Sequence, residues 1–159
     1  MGKLIIFINT SLKYILFLLM IALIISVFSQ VLFRFVLNQP LAWTEELARY
    51  ILVWLTFLGA AYAMSLKAHI GVEFFVNKLP DSLHKMSLVL STLVSIAFFI
   101  ILITQGYSMM TRSMSQLSPV LKIPMGAVYA VIPFSGIILI INIISETIKA
   151  LFDKGGVDK

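Results

Sequence analysis

The chain has 159 residues, of which 60% are hydrophobic and only 12% are charged, and its formal net charge is +5. Soluble globular domains have about a quarter of their residues charged, so a mean hydropathy of +1.04 excludes that class and predicts an integral membrane protein. The absence of cysteine excludes disulfides and thiolate metal sites, and the positive charge suits lipid headgroups without requiring nucleic acid.

Long runs without Asp, Glu, Lys or Arg predict an all-α fold. A helix needs about 20 mostly apolar residues to cross about 30 Å of hydrocarbon. We place four transmembrane helices near residues 12–36, 44–66, 82–110 and 124–147. The first apolar run is too long for a cleaved signal peptide and is expected to stay as an anchor. Without internal repeats or linkers, residues 1–159 are predicted to form a single membrane domain.

The first helix carries a polar stripe. Ser26, Gln30 and Arg34 are four residues apart and therefore share one face. Such a stripe favours hydrogen bonds between helices, with a transport pathway as the alternative. Because the next turn is short, we also predict that Arg34 pairs with Glu45 or Glu46 at the start of the second helix.

The second helix begins in a compact charged motif after Pro40. Thr44 is predicted to cap this helix, and Glu45 and Glu46 to lie in its first turn, where carboxylates favour the helix dipole. Arg49 follows both acids at helical spacing and can pair with either.

Aromatic and small residues complete the second helix. Trp43 is predicted to lie in the aromatic belt at the membrane surface. Farther along, Gly59 and Ala63 form a small-xxx-small pair, which allows another helix to approach closely. A partner subunit or another helix of the chain would suit this face.

The segment between the second and third helices predicts a short amphipathic helix in the membrane interface, near residues 68–79. Its apolar face would consist of Val72, Phe75, Val76 and Leu79. Glu73 would lie on the opposite, polar face. The alternative is a flexible loop in which the apolar residues are incidental. His69 falls in the same segment and not inside a span, which disfavours a haem ligand or a proton relay.

The fourth helix contains one proline and one acid. Pro133 is predicted to kink it, and Lys149 to neutralise Glu146, which shares a face with Asn142. No set of residues for nucleophilic catalysis, metal binding or phosphate binding can be assembled along the chain, so an enzyme is not expected.

The distribution of cations predicts the topology. Eight lysines fall on the side that holds both termini, and four cations, Arg34, Arg49, Arg112 and Lys122, fall on the other. The richer side is normally cytoplasmic, so both termini are predicted to face the cytoplasm.

The region from Trp43 to Phe75 resembles the signature region of the DctQ-type small membrane subunits of TRAP (tripartite ATP-independent periplasmic) transporters. The shared positions are Trp43, Thr44, Glu45, Glu46, Ala48, Arg49, Tyr50, Trp54, Gly59, Ala60, His69, Ile70, Val72 and Glu73. The chain length and the four spans also fit this family, and the sequence is most similar to small subunits of sialic acid systems.

The resemblance implies a non-catalytic subunit of the bacterial inner membrane, without a cofactor of its own. It would join a large membrane subunit in the static scaffold of an elevator. That large subunit would hold substrate and sodium ions, and a periplasmic binding protein would deliver an organic acid, sialic acid or a C4-dicarboxylate. Two other functions stay open: a self-sufficient four-helix exporter, although the first helix lacks the required carboxylate, and a membrane anchor of a redox complex.

Overall fold

The computed structural model describes residues 2–66 and 81–152, which are almost entirely helical. The helices are α1 (Gly2–Phe35), α2 (Ala42–Ser65), α3 (Asp81–Arg112), α4 (Met125–Tyr129) and α5 (Val131–Phe152). Four stretches are long and apolar enough to cross a membrane: Ile5–Phe35, Ala42–Ser65, Met86–Arg112 and Met125–Ala150. The predicted class, an all-α protein with four transmembrane helices, is confirmed.

Helix α1 starts at Gly2, well before the predicted span near residue 12. The apolar residues Ile5, Ile6, Phe7 and Ile8 allow the helix to continue towards the N-terminus on the far side of Lys13. This extension matters because it makes Asn9 part of the bundle.

The four spans pack in the order α1, α2, α5 and α3, since α1 packs on α2, α2 on α5, and α5 on α3. The span made by α4 and α5 is the most enclosed, whereas those of α1 and α3 are the most exposed. The buried core draws on all four spans: Leu12, Leu58, Ala61, Phe99, Val131, Ile138, Leu139 and Ile143.

Two glycines bring α3 and α5 close together. A Cβ atom at Gly106 would lie 2.7 Å from Ile132 Cγ2, and one at Gly136 would lie 2.6 Å from Ile103 Cγ1. By contrast, a Cβ atom at Gly59 would meet nothing within 4 Å. No other described residue therefore packs closely on Gly59, and the close approach between helices of the chain occurs at Gly106 and Gly136.

The fourth span is interrupted between α4 and α5. Pro133 has no N–H group to donate to the carbonyl of Tyr129, so the regular hydrogen-bond pattern fails there. Ala130 ends α4 with its N–H donating to the Gly126 carbonyl, and α5 resumes at Val131. The interruption lies three residues before Pro133, and the kink predicted at Pro133 stays a prediction.

The predicted interfacial helix, residues 68–79, lies outside the described residues. The same holds for its predicted site residues: His69, Val72, Glu73, Phe75, Val76 and Leu79.

Candidate functional site

The charged motif lies where α2 begins. Leu41 has extended backbone angles, φ −89° and ψ 98°, and precedes the first helical residue without a side-chain cap. Thr44 is fully buried, and its hydroxyl donates to the Leu41 carbonyl at 2.7 Å. The prediction that Thr44 caps the helix is wrong, because α2 starts at Ala42 and places Thr44 inside the first turn.

Glu46 is the central residue of the site. Its side chain points into the protein, and only 6% of the residue is exposed. One carboxylate oxygen, Oε2, accepts hydrogen bonds from the backbone N–H groups of Val120 at 2.8 Å and Leu121 at 3.2 Å. The other, Oε1, accepts from the Tyr50 hydroxyl at 2.6 Å, and the Ser118 side chain lies close to the carboxylate. A carboxylate that receives several N–H and O–H donors is well suited to remain ionised although buried.

The partner of Glu46 is the α3–α4 loop, residues 113–124, which is itself well ordered by hydrogen bonds. Ser118 and Ile123 bond to each other twice, through Ser118 N–H to the Ile123 carbonyl at 2.9 Å and Ile123 N–H to Ser118 Oγ at 3.1 Å. Met125 N–H donates to the Gln116 carbonyl at 2.8 Å. Glu46 thus fixes this folded loop onto the start of α2.

The neighbouring acid, Glu45, has a different role. It is exposed and forms an ion pair with Arg49 at 3.2 Å, which confirms the predicted pairing four residues apart on α2. Arg49 does not pair with Glu46, because Glu46 faces the interior. An exposed pair of this kind contributes about 0–1 kcal/mol.

The predicted pairing of Arg34 with Glu45 or Glu46 is not found in the described structure. The Arg34 guanidinium lies 5.7 Å from the ring centroid of Phe35, its neighbour in sequence. Glu45 pairs instead with Arg49 on its own helix, and Glu46 accepts hydrogen bonds from the α3–α4 loop. Trp43 is 43% exposed, consistent with a position at the surface of the bundle.

A second polar cluster joins three spans in the interior. Asn9 and Asn142 bond to each other reciprocally at 3.0 Å in both directions, and Asn142 Nδ2 also donates to the Ala61 carbonyl at 2.8 Å. These bonds connect α1, α2 and α5. Asn142 was predicted to share a helix face with Glu146. The role of Asn9 was not predicted, because Asn9 lies before the predicted first span.

Other polar contacts occur along the sides of α5. Thr92 and Thr147 share a hydrogen bond at 2.8 Å between α3 and α5. Lys149 pairs with Glu146 at 2.5 Å, as predicted. In the predicted polar stripe of α1, Ser26 is buried, Gln30 is half-buried and Arg34 is exposed. Among the described residues, the side-chain hydrogen bonds that join different spans are made by other residues.

The sequence matches the family "Tripartite ATP-independent periplasmic transporters, DctQ component" over residues 23–153, which includes the Glu46 site and all of α2, α3 and α4. The chain belongs to this family. As a DctQ-family protein it is a multi-pass membrane component of a transporter and not an enzyme.

Similar proteins include subunits of known systems. A Haemophilus influenzae protein assigned as a TRAP transporter small permease protein is 27% identical, covering 92% of this chain and 91% of that protein. The sialic acid TRAP transporter small permease protein SiaQ of Vibrio cholerae is 38% identical, covering 60% of this chain and 55% of SiaQ.

One relative has a different chain organisation. The sialic acid TRAP transporter permease protein SiaT of Haemophilus influenzae is 32% identical over 52% of this chain but only 13% of SiaT. A DctQ-like segment is therefore a minor part of a much longer permease protein there. Further relatives are named as C4-dicarboxylate TRAP transporter small permease proteins.

Proposed function

We propose that this DctQ-family chain is the small, non-catalytic membrane subunit of a sodium-driven TRAP transporter and pairs with a large membrane subunit. The match to SiaT carries this proposal, because in that protein the DctQ-like segment shares one chain with a much longer permease. Subunits that are joined in one relative are natural partners when they are separate chains. The large subunit would hold the substrate and the sodium ions.

The internal contacts support a scaffold role for this chain. Asn9, Asn142 and Ala61 satisfy one another across three spans, and Glu46 uses its carboxylate to hold a loop. Polar groups that are mutually bonded stabilise one arrangement of the helices, as the static part of an elevator requires. The moving, cargo-carrying part would belong to the large subunit.

The outward side of α2 supports a protein neighbour. α2 is the least hydrophobic of the four spans, yet most of it is not buried within the chain. Its outward side carries the exposed Glu45–Arg49 pair, Thr56, the uncrowded Gly59 and Ala60. The outward sides of α1 and α3 instead carry large apolar side chains suited to lipid. Small residues favour close packing with another membrane helix, so we assign this side of α2 to the large subunit.

The transported compound is proposed to be an organic acid delivered by a periplasmic binding protein. Similarity to SiaQ favours sialic acid, and the relatives named for C4-dicarboxylates supply the alternative. We propose the bacterial inner membrane as the location, with both termini in the cytoplasm, because eight lysines accompany the termini and four cations accompany the opposite loops.

Reconstitution tests the proposed function. The chain is placed in proteoliposomes alone, with its large subunit, and with both the large subunit and the binding protein, and uptake of labelled sialic acid and of a C4-dicarboxylate is measured under an inward sodium gradient. We expect uptake only in the complete system. Sodium-driven uptake by the isolated chain would overturn the assignment as a non-catalytic subunit.

A pair of substitutions tests the proposed face of α2. Gly59→Leu should reduce recovery of the large subunit with the tagged chain, while leaving the melting temperature of the isolated chain nearly unchanged, because a Cβ atom at Gly59 meets no described atom within 4 Å. Ala97→Leu, at an exposed position on α3, is the matched control and should leave recovery unchanged. Equal recovery with both variants would reject this face.

A further inference from the structure

We propose that the apolar groove between α1, α2 and α4 binds an acyl chain of an anionic phospholipid, whose phosphate is held by Lys122. The groove has a volume of about 280 Å³. Its lining includes Leu19 on α1, Leu47, Ile51 and Trp54 on α2, and Ile123 and Val128 at and beyond the end of the α3–α4 loop. This inference depends on the membrane location of the chain and not on its partner or substrate.

The dimensions of the groove suit part of a lipid chain. Leu47 and Trp54 are seven residues apart on α2, which corresponds to about 10 Å at 1.5 Å per residue. That is about a third of the 30 Å hydrocarbon thickness. The groove begins near the charged start of α2 and runs towards the middle of the span, so one end is close to water and the other is within hydrocarbon.

Lys122 provides the evidence for an anionic headgroup. Its backbone has φ 56°, in the left-handed region that residues with a Cβ atom rarely adopt. Gly or Asn would adopt this conformation at lower cost, and the lysine that occupies the position adds a positive charge beside the groove. Among the described residues Lys122 takes part in no ion pair. Its ammonium group is therefore available to a ligand.

The backbone of Lys122 lies beside the groove, because the residues before and after it have defined contacts. The next residue, Ile123, lines the groove, and the preceding residue, Leu121, donates its N–H to Glu46. The loop that carries Lys122 lies between the spans ending at Arg112 and beginning at Met125, at the boundary of the membrane. A lysine stem at this boundary can extend along the apolar surface and place its charge among headgroups.

A phospholipid combines the two chemistries that meet here. It carries an apolar chain and an anionic phosphate in one molecule, at the boundary where Lys122 and the groove adjoin. A partner helix could also fill the groove, but its apolar face would not by itself supply an anion for the exposed Lys122. The charge and the apolar lining together favour the lipid.

Thermal unfolding of the full chain in a neutral detergent tests the proposal, with phosphatidylglycerol or phosphatidylcholine added. At lipid concentrations ten times the Kd, we expect phosphatidylglycerol to raise the Tm by roughly 3–6 °C, and phosphatidylcholine to raise it less. Lys122→Gly removes the charge and suits the backbone angle, so the variant should fold at least as well in detergent alone. It should lose the difference between the two lipids, whereas Lys122→Arg should keep it.

Two further variants separate the charge from the groove. Arg112→Gln removes another exposed cation at the same end of the bundle and should leave the difference between the lipids intact. Ala127→Phe, at an exposed position in the groove wall, should reduce stabilisation by both lipids and the amount of phospholipid seen bound in native mass spectrometry. Ala127→Met is a smaller replacement that should give the same result if the phenylalanine prevents folding.

Three results would overturn the proposal. One is a full difference between the lipids in Lys122→Gly. Another is unchanged lipid binding in both Ala127 variants. The third is loss of large-subunit recovery in the Ala127 variants with lipid stabilisation intact, which would assign the groove to a protein partner.

Discussion

At the residue scale, Glu45 and Glu46 show how one step along a helix separates two roles. Successive residues on an α-helix are rotated by about 100°, so the two carboxylates face different surroundings. Glu45 is exposed and pairs with Arg49 on its own helix, whereas Glu46 is buried and binds the backbone of a loop 74 and 75 residues away. Only Glu46 therefore connects separate parts of the fold.

We predict that Glu46→Ala lowers the Tm of the isolated chain in detergent clearly more than Glu45→Ala does. The partly buried N–H groups of Val120 and Leu121 would lose their acceptor, whereas an exposed ion pair contributes little. Glu46→Gln should lie between the two, because its amide keeps one acceptor oxygen but loses the charge. Trypsin cleavage after Lys122 should also be faster in Glu46→Ala. Equal Tm losses and equal cleavage in the two alanine variants would contradict the loop-fixing role.

The asparagine pair makes a second prediction at this scale. Asn142→Leu should lower the unfolding free energy by about 1–2 kcal/mol, because it leaves the Asn9 side chain without its partner in the interior. Adding Asn9→Leu should recover part of this loss, since both polar groups are then removed. A double-mutant cycle based on reversible unfolding in mixed detergent measures the coupling. Strictly additive losses would show that the two side chains do not act as a pair.

At the element scale, the features that could be predicted are those set by residues close together in sequence. The four spans follow from charge-free apolar runs, the interruption before α5 follows from Pro133, and the pairing of Glu45 with Arg49 follows from a spacing of four. Each of these depends on residues that are close together in sequence. The family resemblance was also carried by a local motif, from Trp43 to Phe75, which begins in the first turn of α2.

The contacts that sequence reasoning missed are between residues far apart in sequence. Nothing near Glu46 specifies that the α3–α4 loop will supply its donors, and nothing near Asn9 specifies Asn142, 133 positions away. The predicted partner of the acids, Arg34, was chosen because it is near in sequence. In the structure the buried acid, Glu46, is instead bound by the α3–α4 loop, which follows α3 along the chain.

Alanine substitutions at Gly106 and Gly59 should change the stability of the chain in opposite directions. Gly106→Ala should destabilise the chain by about 1–3 kcal/mol, because its new Cβ atom would lie 2.7 Å from Ile132 Cγ2 and 3.0 Å from Pro133 Cδ. Gly59→Ala should be neutral or stabilising by up to about 1 kcal/mol, because alanine favours the helix and has room. Thermal unfolding of both variants in detergent measures the contrast. Similar effects at the two positions would contradict the packing of α3 against α5.

At the scale of the whole molecule, the length of α1 bears on how the chain sits in the membrane. The apolar span Ile5–Phe35 has 31 residues, or about 46 Å at 1.5 Å per residue, which exceeds the hydrocarbon thickness of about 30 Å. The helix must therefore tilt or extend beyond the hydrocarbon. Lys13 is exposed and lies on the N-terminal side of the uncharged part of this span. Its charged end can reach the headgroups on the side of the termini, where the proposed topology places most lysines.

This topology predicts opposite labelling of the two ends of the bundle. The chain has no cysteine, so Gly2→Cys and Gln116→Cys each introduce a unique thiol, at the start of α1 and in the exposed α3–α4 loop. In intact spheroplasts, a membrane-impermeant maleimide should label Gln116→Cys, whereas Gly2→Cys should react only after permeabilisation. The reason is that lysine-rich ends are retained in the cytoplasm. A denatured sample of each variant controls for intrinsic reactivity. Labelling of Gly2→Cys but not Gln116→Cys in spheroplasts would reverse the topology and move Glu46, Lys122 and the lipid groove to the cytoplasmic side.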